Sequence, residues 1–154
     1  MGFDPGKMFF VQAMGALSGK KRAWRLKKEA YKRWGWSESD ICSALRVFPL
    51  CMVVSEKKIM GTMELLVNKM GWKSGQIAKF PYVFWYSLEK RIIPRCSVVK
   101  VLLLKGLIEE KKLSLACVSS ISEEYFFKRF VTRYFDQVPQ LLNVYKGKVD
   151  VQDV

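Results

Sequence analysis

The stretch FPLCMVVSEKKI, Phe48 to Ile59, is written again with small changes as FPYVFWYSLEKRI, Phe80 to Ile92. In both, a serine follows the proline by six positions, Ser55 or Ser87, and a charged run then ends in isoleucine. A second landmark recurs beside it, glycine followed by a bulky apolar residue. It stands at Gly2-Phe3, Gly35-Trp36, Gly71-Trp72 and Gly106-Leu107, with spacings of 33, 36 and 35 residues. Such a period is the signature of stacked helical units, none of which can bury its apolar face alone. The chain is therefore expected to be an all-α helical-repeat solenoid. Repeats would occupy residues 1–145, with heads near 2, 35, 71 and 106, and residues 146–154 would form a flexible C-terminal tail.

Local signals within a unit agree with this. Ser37 and Asp40 have the spacing of a capping box, and Ile41, Ala44, Leu45 and Phe48 follow at helical intervals. Proline disfavours helix at the residue before it, so this helix stops at Phe48. Ser55 is placed to cap a second helix with Ile59, Met63, Leu66 and Met70 on one face, and Gly71 stands where a left-handed C-terminal cap is wanted. The next unit repeats the plan with Ser74, Ile77, Phe80-Pro81, Ser87 and the run Ile92, Cys96, Val99, Leu103, and Pro94 predicts a kink. A third copy is degenerate: Ser122 starts a helix carrying Phe126, Phe130 and Tyr134, but Phe-Pro is missing before it. Residues 2–34 read as a looser copy with a basic helix from about Lys20.

Charge and composition bear on partners. The net charge is +13, from 27 Lys and Arg against 14 Asp and Glu, which points to nucleic acid, an anionic membrane or an acidic protein. Histidine is absent, which removes the usual general base near neutral pH and the commonest metal ligand. Cys42, Cys51, Cys96 and Cys117 show no C-x-x-C spacing and sit among apolar neighbours, so they read as buried thiols and not as a metal site or disulfides. The opening MGFDPGKMFF has neither a secretory nor a transit-peptide pattern, and no apolar run is long enough to span a membrane, so a soluble protein is expected. GALSGKK, from Gly15 to Lys21, is one residue short of a P-loop and lacks its Ser or Thr, so no nucleotide cofactor is expected there.

The combination WGWS, FP-x5-SEKKI, VNKMGW, FP-x5-SLEKRIIPRC and LLLKGL resembles the plant branch of the mitochondrial transcription termination factor (mTERF) family, over essentially the whole chain. The resemblance implies repeats of two α-helices with a short 3₁₀ turn near the proline, curved into a superhelix whose basic surface holds double-stranded nucleic acid. It also implies a mitochondrial or chloroplast location, no catalytic residues and no cofactor. By the same comparison the chain corresponds to the C-terminal repeats of such a protein, or to a shortened paralogue.

Two groups of cations are candidate contacts. Lys20, Lys21, Arg22, Arg25, Lys27, Lys28, Lys32 and Arg33 crowd one predicted helix, where Trp24, Tyr31 and Trp34 could stack on bases or face the core. At the starts of second helices stand Lys57, Lys58, Lys90, Arg91 and Arg95, where helix N-termini favour phosphate. Glu56 and Glu89 beside them also allow local pairing. The leading reading is a monomeric, non-enzymatic protein that occupies double-stranded DNA, or structured RNA, and regulates organellar transcription or RNA processing. The alternative is a helical-repeat scaffold for protein partners. An enzyme would need a motif that the sequence does not contain.

Overall fold

Gly71 ends a helix with φ of 80°, a left-handed conformation that side chains with a Cβ rarely adopt. The following N–H, on Trp72, reaches back to the carbonyl of Leu66 at 3.0 Å. At the other described repeat heads the reach is one residue shorter: Trp36 to Tyr31 after Gly35, at 3.4 Å, and Leu107 to Leu102 after Gly106, at 2.9 Å. The repeated glycine is thus a helix stop of the Schellman type, which satisfies terminal carbonyls and brings the next apolar residue back over the helix end. A further copy stands at Gly147, where Lys148 donates to Asn143 at 2.9 Å.

The computed structural model describes Val11, Gly15 and residues 21–154. The expected head at Gly2-Phe3, most of the GALSGKK stretch and the candidate Lys20 lie outside them. The chain divides into two units, Met1–Trp85 and Tyr86–Val154. Among the described residues there are helices and no strands, so the protein is all-α.

The first unit contains α1 (Lys21–Arg33), α2 (Glu38–Val47), a 3₁₀ turn (Pro49–Met52), α3 (Glu56–Met63) prolonged by a π-helical stretch (Glu64–Lys69), α4 (Ser74–Ala78) and a second 3₁₀ turn (Pro81–Trp85). Ser37 and Asp40 form the expected reciprocal cap at the start of α2. Ser55 Oγ accepts from Lys58 N at 3.2 Å to start α3. At α4 the sequence expectation is displaced by one residue. Lys73 occupies the place of Ser37, and its N–H donates to Gln76 Oε1 at 3.0 Å. Each Phe-Pro behaves alike, because the proline cannot continue the α-helical ladder and instead opens the 3₁₀ turn that leads to the next serine.

Ile41, Ala44, Cys51, Met52, Ile59, Met63 and Leu66 form the core of this unit, joined by three rings. Tyr31 stacks on Trp36 with centroids 4.4 Å apart, and Phe84 meets both edge-on. Tyr31 Oη donates to the carbonyl of Cys51 at 2.7 Å, so the one polar atom of a fully buried ring is satisfied. The unit ends at Trp85, inside the repeat headed by Gly71. The cause is packing: α4 lies against α2, and the second 3₁₀ turn lies against the first.

The second unit begins with a π-helical turn (Leu88–Ile92) that runs into α5 (Ile93–Leu104). A 3₁₀ turn (Glu110–Lys112), α6 (Leu115–Ser119) and α7 (Glu123–Phe126) follow. The last is prolonged by π-helical Phe127–Val131 and 3₁₀ Thr132–Tyr134, and α8 (Leu141–Tyr145) and a last 3₁₀ turn (Val151–Asp153) complete the chain. Cys96, Val98, Val99 and Leu102 of α5 are buried with Phe126, Phe130, Leu141 and Val144. Ser122 caps α7 as expected, its Oγ accepting from Tyr125 N at 3.2 Å.

Where Pro94 predicts a kink, the structure places the π turn just before it. Four residues separate Ser55 from Ile59, but five separate Ser87 from Ile92. Ile59 N donates to Ser55 O at 3.0 Å, and Ile92 N donates to Ser87 O at 3.1 Å. The wider turn absorbs the extra residue, and both isoleucines reach full burial. One other expectation also changes. Cys42, placed in the core by its apolar neighbours, is exposed, whereas Cys51, Cys96 and Cys117 are buried thiols. In residues 146–154 the structure shows a 3₁₀ turn, Val151–Asp153, and Lys105 Nζ donates to Val154 O at 2.6 Å.

Candidate nucleic-acid interface

At about 3.6 residues per turn, α1 presents Lys21, Arg22, Arg25, Lys32 and Arg33 on one exposed arc, interrupted by Glu29. The opposite arc carries Tyr31 in the core, with Trp24 and Trp34 half-buried. The aromatics therefore face inward, and Trp34 Nε1 points to Met60 Sδ at 3.2 Å. Lys27 falls on this inner side. It is half-buried, and burial lowers its pKa against a smaller opposing pull from Glu56. Lys27 thus departs from the single basic face expected of α1, because the helical repeat rotates it away.

Several cations of the outer arc already have partners. Lys28 and Lys32 grip Glu38 at 2.8 and 2.7 Å, and their hydrogen bonds hold its carboxyl down at about 2. Arg33 pairs with Glu56 at 3.1 Å. Lys21, Arg22 and Arg25 are exposed and make no ion pair among the described residues. They are the cations of α1 best placed to exchange small counterions for phosphates.

At the start of α3, Lys57 is exposed, whereas Lys58 is half-buried and its Nζ donates to the carbonyl of Trp85 at 3.2 Å. In the second unit Lys90 is exposed, but the arginines beside it turn inward. Arg91 Nε donates to Ser119 O at 2.6 Å and its Nη2 to Ile121 O at 2.8 Å, with the guanidinium over the Tyr86 ring. Arg95 is 0% exposed, donates from Nη1 to the same Ile121 carbonyl at 2.8 Å and lies over the Phe126 ring. Burial, then the nearby Arg91 charge, lowers the Arg95 pKa. These contacts correct the expectation of Arg91 and Arg95 as surface phosphate ligands. They cap the carbonyl of the last residue of α6 and one just beyond it, where a helix end leaves acceptors unfilled. The warning was present in the sequence, because Arg95 lies three residues after Ile92 and four before Val99, on the apolar stripe itself.

Sequence reasoning passed over a second basic group. Arg129 and Arg133, one turn apart beyond α7, line a cavity of about 330 Å³ with Lys112 and the segment after Gly106. Their spacing is legible in FFKRFVTRY, but only the fold brings the loop across them.

The described residues hold no group of three or more His, Cys, Asp or Glu side chains arranged for a metal ion. They include no helix long and apolar enough to cross a membrane. No curated protein and no solved structure matches the chain significantly. The family model described as mTERF matches residues 13–127, which takes in α1 through Phe127 and most of the length. By that match, and by the helical units built on the motifs above, the chain belongs to the mTERF family.

Proposed function

We propose that this protein binds double-stranded nucleic acid without catalysing a reaction, and regulates gene expression in a mitochondrion or chloroplast by occupying its site. Family membership supports the class of partner, and the net charge of +13 supports binding through phosphates. The observation that carries the reading is the trio Lys21, Arg22 and Arg25, exposed together on α1 without carboxylate partners among the described residues. Lys57 in the first unit and Lys90 in the second, each exposed in the first turn of a second helix, are further candidate contacts. Arg91 and Arg95 hold the second unit together and are not assigned to the ligand.

The test is a salt titration of duplex binding. Replacing Lys21, Arg22 and Arg25 together with alanine is expected to flatten the slope of log K against log salt by about two to three units, at about 0.9 per phosphate contact. Replacing Lys146 and Lys148 is expected to leave that slope unchanged. Equal losses from the two sets would overturn the assignment to α1, since both remove positive charge.

A protein-binding scaffold remains the second reading, and one surface favours it. Trp85 is 60% exposed, and exposed Tyr82 lies beside it across the Phe48 ring, with its hydroxyl on the carbonyl of exposed Val47. Duplex binding that is absent at low salt would favour that reading.

A further inference from the structure

The cavity of the second unit differs in chemistry from the α1 surface. Its walls are apolar, from Leu107, Ile108 and Leu113 on one side and the rings of Phe130 and Tyr134 on the other. Its polar lining is unevenly charged. Glu109 is held by Lys112 at 2.6 Å and by Lys111 at 3.0 Å, and these bonds keep its carboxyl below the usual range. Lys111 does not line the cavity, so among the lining groups Glu109 and Lys112 cancel and a positive surplus is left to the arginines.

Arg129 and Arg133 supply that surplus, and neither forms a salt bridge among the described residues. The Arg129 guanidinium lies 5.0 Å from the centre of the Phe130 ring, and its Nη1 reaches only the weak acceptor Cys117 Sγ, at 3.6 Å. Arg133 is exposed, with its guanidinium 5.7 Å from the centre of the Tyr134 ring. Aromatic faces thus support two planar forks whose N–H donors lack strong acceptors. Such forks match phosphate in shape as well as in charge.

We propose that this cavity binds a phosphomonoester carried on a nucleoside-sized body, with the phosphate between Arg129 and Arg133 and the ring against Leu107, Ile108 and Leu113. A phosphate dianion matches two guanidinium groups better than a single carboxylate does. The volume of about 330 Å³ lies near the lower end of small-ligand pockets, enough for one ring and one phosphate. The group could come from a free nucleoside monophosphate or from the 5′-phosphate end of a strand. The assignment does not rest on the duplex-binding surface of α1, and replacing Lys21, Arg22 and Arg25 is expected to leave it intact.

Calorimetric titration of the full chain with AMP, adenosine, inorganic phosphate and short 5′-phosphorylated or 5′-hydroxyl strands tests the proposal. AMP or the phosphorylated strand is expected to bind; adenosine is not, and the 5′-hydroxyl strand is expected to bind more weakly than its phosphorylated counterpart; the tighter of the two binders identifies the source. Arg133→Ala and Arg129→Gln are each expected to weaken binding by about tenfold or more, the loss expected for a charge-assisted hydrogen bond. Arg133 is exposed, so Arg133→Ala keeps the test decisive if Arg129→Gln melts early. Replacing Lys146 and Lys148 is expected to change nothing. Three results would each overturn the proposal: no binding of either phosphorylated probe, binding of inorganic phosphate as tight as that of AMP, or affinity untouched by Arg133→Ala.

Discussion

Arg91 is fastened to Ile121 by a hydrogen bond of 2.8 Å from Nη2 to the carbonyl oxygen, across 30 residues of sequence. Ile121 stands immediately before Ser122, the cap of α7, so the bond holds the connector between α6 and α7. Lys58 makes the corresponding contact in the first unit, to the carbonyl of Trp85, two residues before the cap serine Ser87. Both cations follow Glu-Lys and precede the buried isoleucine of their copies. A side chain read as a phosphate ligand is therefore, in each copy, a tie to the connector of the next.

Breaking that tie should be costly. Arg91→Ala removes two charge-assisted bonds and is expected to destabilise by about 1.5–3 kcal/mol. Arg95 should respond differently, because its Nε and Nη2 are buried and, among the described residues, no acceptor lies in good hydrogen-bond geometry to them, although Tyr145 is near. Arg95→Met, which keeps volume and removes unsatisfied donors, is expected to cost less than about 1 kcal/mol or to stabilise. Arg95→Ala should cost about 2–4 kcal/mol through the cavity it leaves. Urea unfolding of the three variants checks the order; a methionine variant weaker than the alanine one would show that the charge itself is needed.

The pairing of Glu38 with Lys28 and Lys32 should appear as a pH dependence. The folded carboxyl titrates at about 2, below its ordinary value of 4.5. A depressed carboxylate contributes stability above its unfolded pKa and loses it as the pH falls through the folded one. The melting temperature of Glu38→Gln is therefore expected to lie below that of the parent at pH 6. The difference should shrink between pH 4.5 and 2. High salt should also shrink it, since the pair is solvent-exposed. A gap that persists unchanged at pH 2 would mean that the carboxylate is not its cause.

Thiol labelling separates the cysteines. Cys42 is exposed on α2 and is expected to react in the native protein. Cys51, Cys96 and Cys117 should react only after unfolding, and burial pushes the first two thiols up to about 12, which withholds the nucleophilic thiolate as well. Native labelling followed by peptide mapping would reveal the alternative, modification at Cys96 before unfolding.

Deletions test the π turn. Removing Leu88 restores the spacing found between Ser55 and Ile59, and the protein is expected to stay folded with a cooperative denaturant transition. Removing Ser97, within α5, would rotate Val98, Val99 and Leu102 by about 100° from the core and is expected to abolish that transition. Similar stability for the two deletions would contradict the role given to the turn.

Much of this was legible in the sequence because it depends on local chemistry. Ser37, Ser55, Ser87 and Ser122 cap helices wherever they are read to do so, and Gly35, Gly71 and Gly106 adopt the left-handed conformation their positions require. Gly147 was missed because Lys148 replaces the bulky apolar residue, although the backbone motif needs only the glycine. The inward turn of Arg91 and Arg95 was missed because a cation in a first helical turn reads as surface until the acceptors of Ser119 and Ile121 are brought against it. Cys42 was misplaced since the flanking Ile41 describes a neighbouring direction on the helix and not its own. The cavity needed the loop after Gly106 to meet Arg129 and Arg133, which no sequence spacing reveals.

The extra residue between Ser87 and Ile92 bears on how repeats of this kind can diverge. A π turn at the entrance of the second helix acts as a slip joint, taking up an insertion within one loop of backbone while the buried isoleucine and everything after it hold their phase. Descendants of one ancestral unit can thus differ in length without redesigning their interiors. The copy with the extra residue nonetheless has the shorter spacing, 35 residues from Gly71 to Gly106 against 36 from Gly35 to Gly71, so copies are better aligned on their buried isoleucines than on a fixed ruler.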